Sequence, residues 1–170
     1  MLRSRYGLPR PKRTAPLAYV SIFDVPAQAR EHLRRHGRYP YFYSEELNIR
    51  FFQDMLRLMK AFDTLVVIYK PKRSLTGTAW SYPPAWQEAV QAIRHSQRGV
   101  VLEEEINPWV PIAIADLCIS LPLTSPTLAA MHYGIPALFH DPLNEVHHHR
   151  YEALSAYITH DYETLRARVR

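Results

Sequence analysis

The sequence predicts an α/β domain built as a doubly wound parallel sheet with helices on both faces. Three observations predict it. Short apolar runs alternate with helix-like segments from residue 17 to the end of the chain. The runs are apolar throughout, as in parallel strands covered on both faces, rather than apolar at every second position. Charged or turn-forming residues follow most runs directly, where a strand would end.

Each element can be justified in order. Residues 1–16 carry Pro and Arg without periodicity and read as a flexible basic arm; residues 17–170 read as a single domain. "LAYVSIF" (17–23) is rich in strand formers and ends at Asp24. Residues 25–43 are irregular, with a short helix expected within 27–36. Ser44 caps a helix whose first turn holds Glu45 and Glu46, which suit the positive end of the helix dipole. Leu47, Phe51, Met55, Leu58 and Phe62 recur at spacings of three and four and give it one apolar face. Phe51, Phe52 and Phe62 are read as core. "TLVVIY" (64–69) is the second strand, and residues 74–83 form a loop. Pro84 to His95 is a helix, with Pro84 where its missing N–H costs nothing. "GVVLE" (99–103) is the third strand, "PWVPIAIA" (108–115) a short helix or turn, and "DLCISL" (116–121) the fourth strand. Pro126 to Tyr133 is a helix that stops at Gly134, and "PALFH" (136–140) is the fifth strand. A helix over 144–156, a short strand at 157–159 and a helix from Asp161 complete the chain.

Composition narrows the function classes. The chain has 170 residues, 47% of them hydrophobic, enough for one ordinary core. Its single cysteine, Cys118, excludes an internal disulfide framework and reads as structural. No apolar run approaches the roughly 18 residues of a membrane helix. The N-terminus lacks the apolar core of a signal peptide. A cytoplasmic protein is expected, and peripheral docking on the inner membrane face stays open. Residues 1–38 hold nine Lys/Arg against two acids, while the remainder holds twelve against fourteen. The basic character therefore belongs to the N-terminal part and could meet RNA, DNA or anionic lipid. No zinc-finger or RNA-recognition signature accompanies it, so nucleic acid is not an expected partner.

A doubly wound sheet binds ligands beyond the carboxyl ends of its strands. The residues just after each strand are thus the site candidates: Asp24, Lys70 to Arg73, Glu103 to Glu105, Pro122 to Ser125, and His140 with Asp141. Ser125 can serve as N-cap with Pro126 the first helical residue. Free N–H groups, the dipole and the hydroxyls of Thr124 and Ser125 would then make an anion cradle; a plain helix cap fits the same residues. Lys70, Lys72 and Arg73 can match a phosphate or carboxylate, or form a solvated turn. Glu103 or Glu105 can orient a ribose or act as an acid or base, with Glu104 solvated. His140 or Asp141 can contact substrate. His147, His148 and His149 cannot share one ion from a helix, because successive side chains point about 100° apart. No metal and no cofactor is expected, and the glycines of a dinucleotide or P-loop fingerprint are absent.

"DLCISLPLTSPTLAAMHYGIPALFHDP" (116–142) resembles the C-terminal half of GT-B glycosyltransferases, and in particular the bacterial polysaccharide-biosynthesis proteins named for a Pro-Phe-Thr-Ser motif. Here the motif reads Pro122-Leu123-Thr124-Ser125. The Phe23-Asp24 strand end and Lys70-Pro71-Lys72-Arg73 resemble further parts of that family, over residues 17–165. The resemblance implies a Rossmann-like lobe that binds a nucleotide-sugar donor in surface polysaccharide biosynthesis. Thr124 and Ser125 would hold donor phosphate, Lys70, Lys72 and Arg73 would balance its charge, and Glu103 or Glu105 would meet the ribose. Lys70-Pro71 stands where related sialyltransferases have His-Pro, which weighs against a CMP-sialic acid donor. Metal independence is common in GT-B enzymes and agrees with the lack of Asp-x-Asp. A GT-B enzyme has two such lobes and this chain has room for one. The acceptor-binding lobe would come from a longer protein or a partner chain; alternatively, the chain is a non-catalytic nucleotide-binding or protein-interaction module.

Overall fold

Side chains along each strand divide between two covers. Val20 and Ile22 join one buried cluster, and Phe23 joins a second on the opposite side. Ser21, which shares the second side, donates its hydroxyl to Pro111 O at 2.8 Å. The computed structural model describes residues 18–28, 30–37, 43–75, 82–146 and 152–169. The expected arm at 1–16 and the three histidines at 147–149 lie outside the described residues.

The strands are β1 (Ala18–Phe23), β2 (Leu65–Lys70), β3 (Gly99–Val101), β4 (Leu117–Ser120), β5 (Ala137–His140) and β6 (Ile158–Thr159). They form one sheet in the order β3-β2-β1-β4-β5-β6, and every pairing is parallel. The helices are α1 (Arg30–Arg35), α2 (Glu45–Ala61), α3 (Pro84–His95), α4 (Trp109–Ile114), α5 (Ser125–His132) and α6 (Tyr162–Val169). Residues of α2, α3 and α6 cover one face of the sheet; residues of α4 and α5 cover the other. The expected doubly wound, Rossmann-like fold is the fold observed.

Local chemistry explains the elements. Ser44 caps α2 as expected, its hydroxyl accepting the Leu47 N–H at 3.1 Å. Phe51 and Phe52 are buried in the core, and Phe62 packs against it. Phe52 stands edge-on to Tyr69 and Trp86, at centroid distances of 4.8 and 5.5 Å, fastening α2 to β2 and α3. β3 starts at a glycine because α3 ends against it: a Cβ on Gly99 would lie 1.8 Å from Ile93 O. Gly134 (φ +70) ends α5, with its N–H on Met131 O and the Ile135 N–H on Ala130 O. Cys118 is buried, and burial pushes its thiol up to about 12, so it is unreactive at neutral pH.

The structure corrects two expectations. The helix expected over 144–156 does not start at Asn144. Asn144 takes a left-handed backbone (φ 52), and Asp141 captures the Val146 N–H through Oδ2 at 2.7 Å. An acid bonding the backbone beyond it makes a turn in place of a helix. Glu152–Tyr157 is a 3-10 helix. The second correction concerns α5, whose N-cap is Thr124 and whose second residue is Pro126, one position earlier than expected.

Candidate functional site

In the sheet order, the chain direction of assembly reverses between β1 and β4, and a doubly wound sheet opens its crevice at such a point. Phe23 is level with both Lys70 and Ser120 in the register, so β1, β2 and β4 end together. A cleft of about 640 Å³ opens beyond these ends. Asp24 (3% exposed) and Lys70 (6%) are its buried floor. The turn at Glu104 to Asn107 borders it on one side, the start of α5 on the other.

Lys70 arrives as the last residue of β2 and is a strut. Its ammonium donates to Pro71 O at 2.6 Å and to Glu104 O at 3.0 Å, tying the turn after β3 to the end of β2. Burial lowers its pKa; Asp24, Glu104 and Glu105 pull it back up. Two of its three N–H groups are thus used on carbonyls. Lys72 is exposed on the rim; its backbone N–H donates to Asp24 Oδ1 at 2.8 Å.

The hydroxyl pair splits. Thr124 gives no capping bond to α5. Its hydroxyl turns inward and donates to Ser120 Oγ at 2.5 Å, and Ser120 in turn makes a very short contact with Thr127. Ser125 is exposed and lines the cleft. Between them and the strand, Leu123 holds a left-handed backbone (φ 61), a conformation that costs an L residue about 1 kcal/mol. The motif Pro122-Leu123-Thr124-Ser125 is therefore a strained turn, pinned by buried hydroxyls, that presents Ser125 and a helix start to the cleft.

The structure thus brings Lys70, Lys72, Thr124, Ser125 and Glu105 around one cleft. Arg73 and Glu103 are exposed and do not line it. The carboxylate oxygens of Glu103, Glu104 and Glu105 lie within 4.8 Å of one another. His140 and Asp141 are buried away from the cleft. Both ring nitrogens of His140 are occupied, Nδ1 by Thr159 Oγ1 at 2.9 Å and Nε2 by Asp54 Oδ2 at 3.1 Å. Burial raises the Asp54 carboxyl, but hydrogen bonds from His140 and Arg57 outweigh it and hold it below the usual range.

Asp24 carries more of the site than the sequence suggested. The sequence marked it as a strand-end candidate and as part of the Phe23-Asp24 resemblance, without a role. Burial raises its carboxyl to about 6, although the Lys72 N–H, the Tyr69 hydroxyl and the Lys70 charge oppose this. Its Oδ1 accepts the Lys72 N–H at 2.8 Å, and the buried Tyr69 hydroxyl faces the same carboxyl. A buried carboxyl raised toward neutrality among cleft-lining residues marks the cleft as a candidate functional site.

This fold and this cleft define a Rossmann-like α/β protein with a polar site at the reversal of its strand order. The family follows from the chain itself. A profile of the polysaccharide biosynthesis PFTS motif proteins matches residues 8–169, and the chain belongs to that family. No curated protein matches it. Among solved structures it is similar to a Listeria monocytogenes protein assigned as a UDP-N-acetylglucosamine 2-epimerase, with 14% identity and a TM-score of 0.53 over 91% of this chain. It is also similar to the MnaA–UDP co-structure from S. aureus, with 12% identity and a TM-score of 0.50 over 98% of this chain. These likenesses show the fold. The chain spans 36% and 41% of those two proteins. Among the described residues, no helix is long and apolar enough to cross a membrane.

Proposed function

We propose that the cleft binds a nucleotide sugar, and that the chain is the donor-binding lobe of a glycosyltransferase in surface polysaccharide biosynthesis. The observation that carries this reading is the position of the family motif: Pro122-Leu123-Thr124-Ser125 delivers a helix start and an exposed hydroxyl to the cleft at the sheet's reversal point. Helix N–H groups and the Ser125 hydroxyl suit the donor diphosphate, and Lys70 and Lys72 balance its charge. Glu105, on the opposite rim, suits the hydroxyls of a ribose or sugar. In transfer, these groups would stabilise charge developing on the departing phosphate.

The acceptor and the group that activates it belong, in this reading, to a second lobe or a partner chain. This chain alone binds donor weakly and transfers nothing, because proximity of the two substrates needs both walls. Calorimetric titration with a panel of nucleoside diphosphates and nucleotide sugars tests the reading. Ser125→Ala weakens binding by about 1 kcal/mol, the scale of one lost hydrogen bond. Absence of heat with every member of the panel, at millimolar ligand and low salt, removes the reading.

A further inference from the structure

The cleft has two unlike walls. On one side, the turn leading to α4 carries the charged Glu104 and Glu105 and the polar Asn107. On the other, Val25, Tyr43 and Leu123 bring no charge, and all three pack with the buried cluster of the α2 face. Among the described residues lining the cleft, Tyr43 is the one aromatic that keeps exposed surface; Phe23 is buried in the second cluster. The backbone that carries Tyr43 is fixed. Its carbonyl accepts the Gln28 N–H at 2.7 Å, and the next residue, Ser44, pairs with Gln28 and caps α2. An aromatic residue is thus anchored on the core at the head of a helix and shows part of its surface to the cleft.

We propose that Tyr43 is the platform for the sugar ring of the ligand: a pyranose lies flat against it, and the nucleoside runs the other way, along the turn at Glu105. This rests on the reading of the cleft as a nucleotide-sugar site and deepens it. A nucleotide sugar has two arms leaving one diphosphate. With the diphosphate at Ser125 and Lys72, one arm meets the charged wall and the other the uncharged wall. The nucleoside arm carries a ribose diol and a base with hydrogen-bonding edges, and both need polar partners. The turn supplies them in Glu105 and Asn107, with Ile106 and Pro108 beside them as apolar surface for the base. The wall of Val25, Tyr43 and Leu123 is poorer in such partners, since the Tyr43 carbonyl is already engaged by Gln28. A pyranose suits that wall. The C–H bonds of one ring face pack on an aromatic surface, while the hydroxyls radiate around the edge into water. Leu123 belongs to the motif turn, so this wall adjoins the groups assigned to the phosphate.

The probes are matched pairs: UDP with UDP-N-acetylglucosamine, and GDP with GDP-mannose. Isothermal titration of the full chain compares the two members of each pair. Tyr43→Ala weakens the nucleotide sugar by about threefold to tenfold, the scale of one aromatic contact, and leaves the nucleoside diphosphate within about twofold. Tyr43→Phe keeps both affinities, because the ring and not the phenol makes the contact. Equal loss for both members of a pair, or no loss for either, overturns the platform and leaves the donor-lobe reading standing. No binding of any probe by the unaltered chain overturns both. A second readout needs no variant, so misfolding of Tyr43→Ala does not blunt the test. Saturating the aromatic protons of the unaltered chain transfers magnetisation to the pyranose protons of the bound nucleotide sugar more than to its ribose protons, and the reverse order overturns the proposal.

Discussion

Replacing Lys70 with methionine separates two roles that the sequence could not tell apart. If the ammonium chiefly matches ligand charge, its loss harms binding and leaves the fold alone. The structure says otherwise, because the ammonium holds Pro71 O and Glu104 O. Two hydrogen bonds from a charged donor are together worth about 3–6 kcal/mol. Removing the charge also returns part of the cost of burying it, and the methionine stem refills the space. A net loss of about 2 kcal/mol remains. For a chain of this size that is a fall in Tm of about 4–8 °C. Scanning calorimetry at low and at about 1 M salt reads it, and the loss persists at high salt because screening does not reach buried pairs. An unchanged Tm with nucleotide affinity abolished would refute the strut and return Lys70 to a purely ligand-facing role.

Two further outcomes concern stability. Gly99→Ala forces a Cβ to within 1.8 Å of Ile93 O, so β3 or the end of α3 must shift. It destabilises by about 1–3 kcal/mol or more in urea unfolding, and an unmoved midpoint would show that the approach is looser than described. The Asp54 carboxyl is held below its unfolded value of 3.8. It therefore contributes stability that is present above 3.8 and lost as pH falls through its folded value. Asp54→Asn is less stable at pH 6 and loses less on acidification below pH 4; equal acid slopes for both proteins would rule this out.

The sheet was legible because its strands are apolar through their whole length and their breaks are chemically marked. Pro84 and Ser44 announce helix starts and Gly134 a helix end, and all three act as written. The turn after β5 was not legible. Asn144 to Val146 carry no strong helix breaker, and what diverts them is the side chain of Asp141, which is buried. The cleft was legible as a set of strand ends, since sheet topology alone brings residues 24, 70–72, 104–105 and 124–125 together. Which side chain turns in and which turns out was not. Thr124 and Ser125 are neighbours with the same chemistry, and the left-handed Leu123 between strand and helix sends one to Ser120 and leaves the other open. His140 was read as a ligand contact on position alone. Its occupation by Asp54 depends on a helix 86 residues earlier, which no local pattern reports.

The middle position of β1 also sets the order in which the domain can be finished. β1 precedes the other described strands of this sheet in the chain, yet its neighbour on one side is β4, and the bond from the Tyr19 N–H to Asp116 spans 97 residues. At ribosomal speed that interval lasts about 5–20 s. Through this time β1, β2 and β3, with α2 and α3, can assemble as a half-sheet whose bare margin is β1 itself. The nascent chain thus carries its cleft-forming strand as an open template, closed only when the segment bearing Pro122 to Ser125 leaves the tunnel.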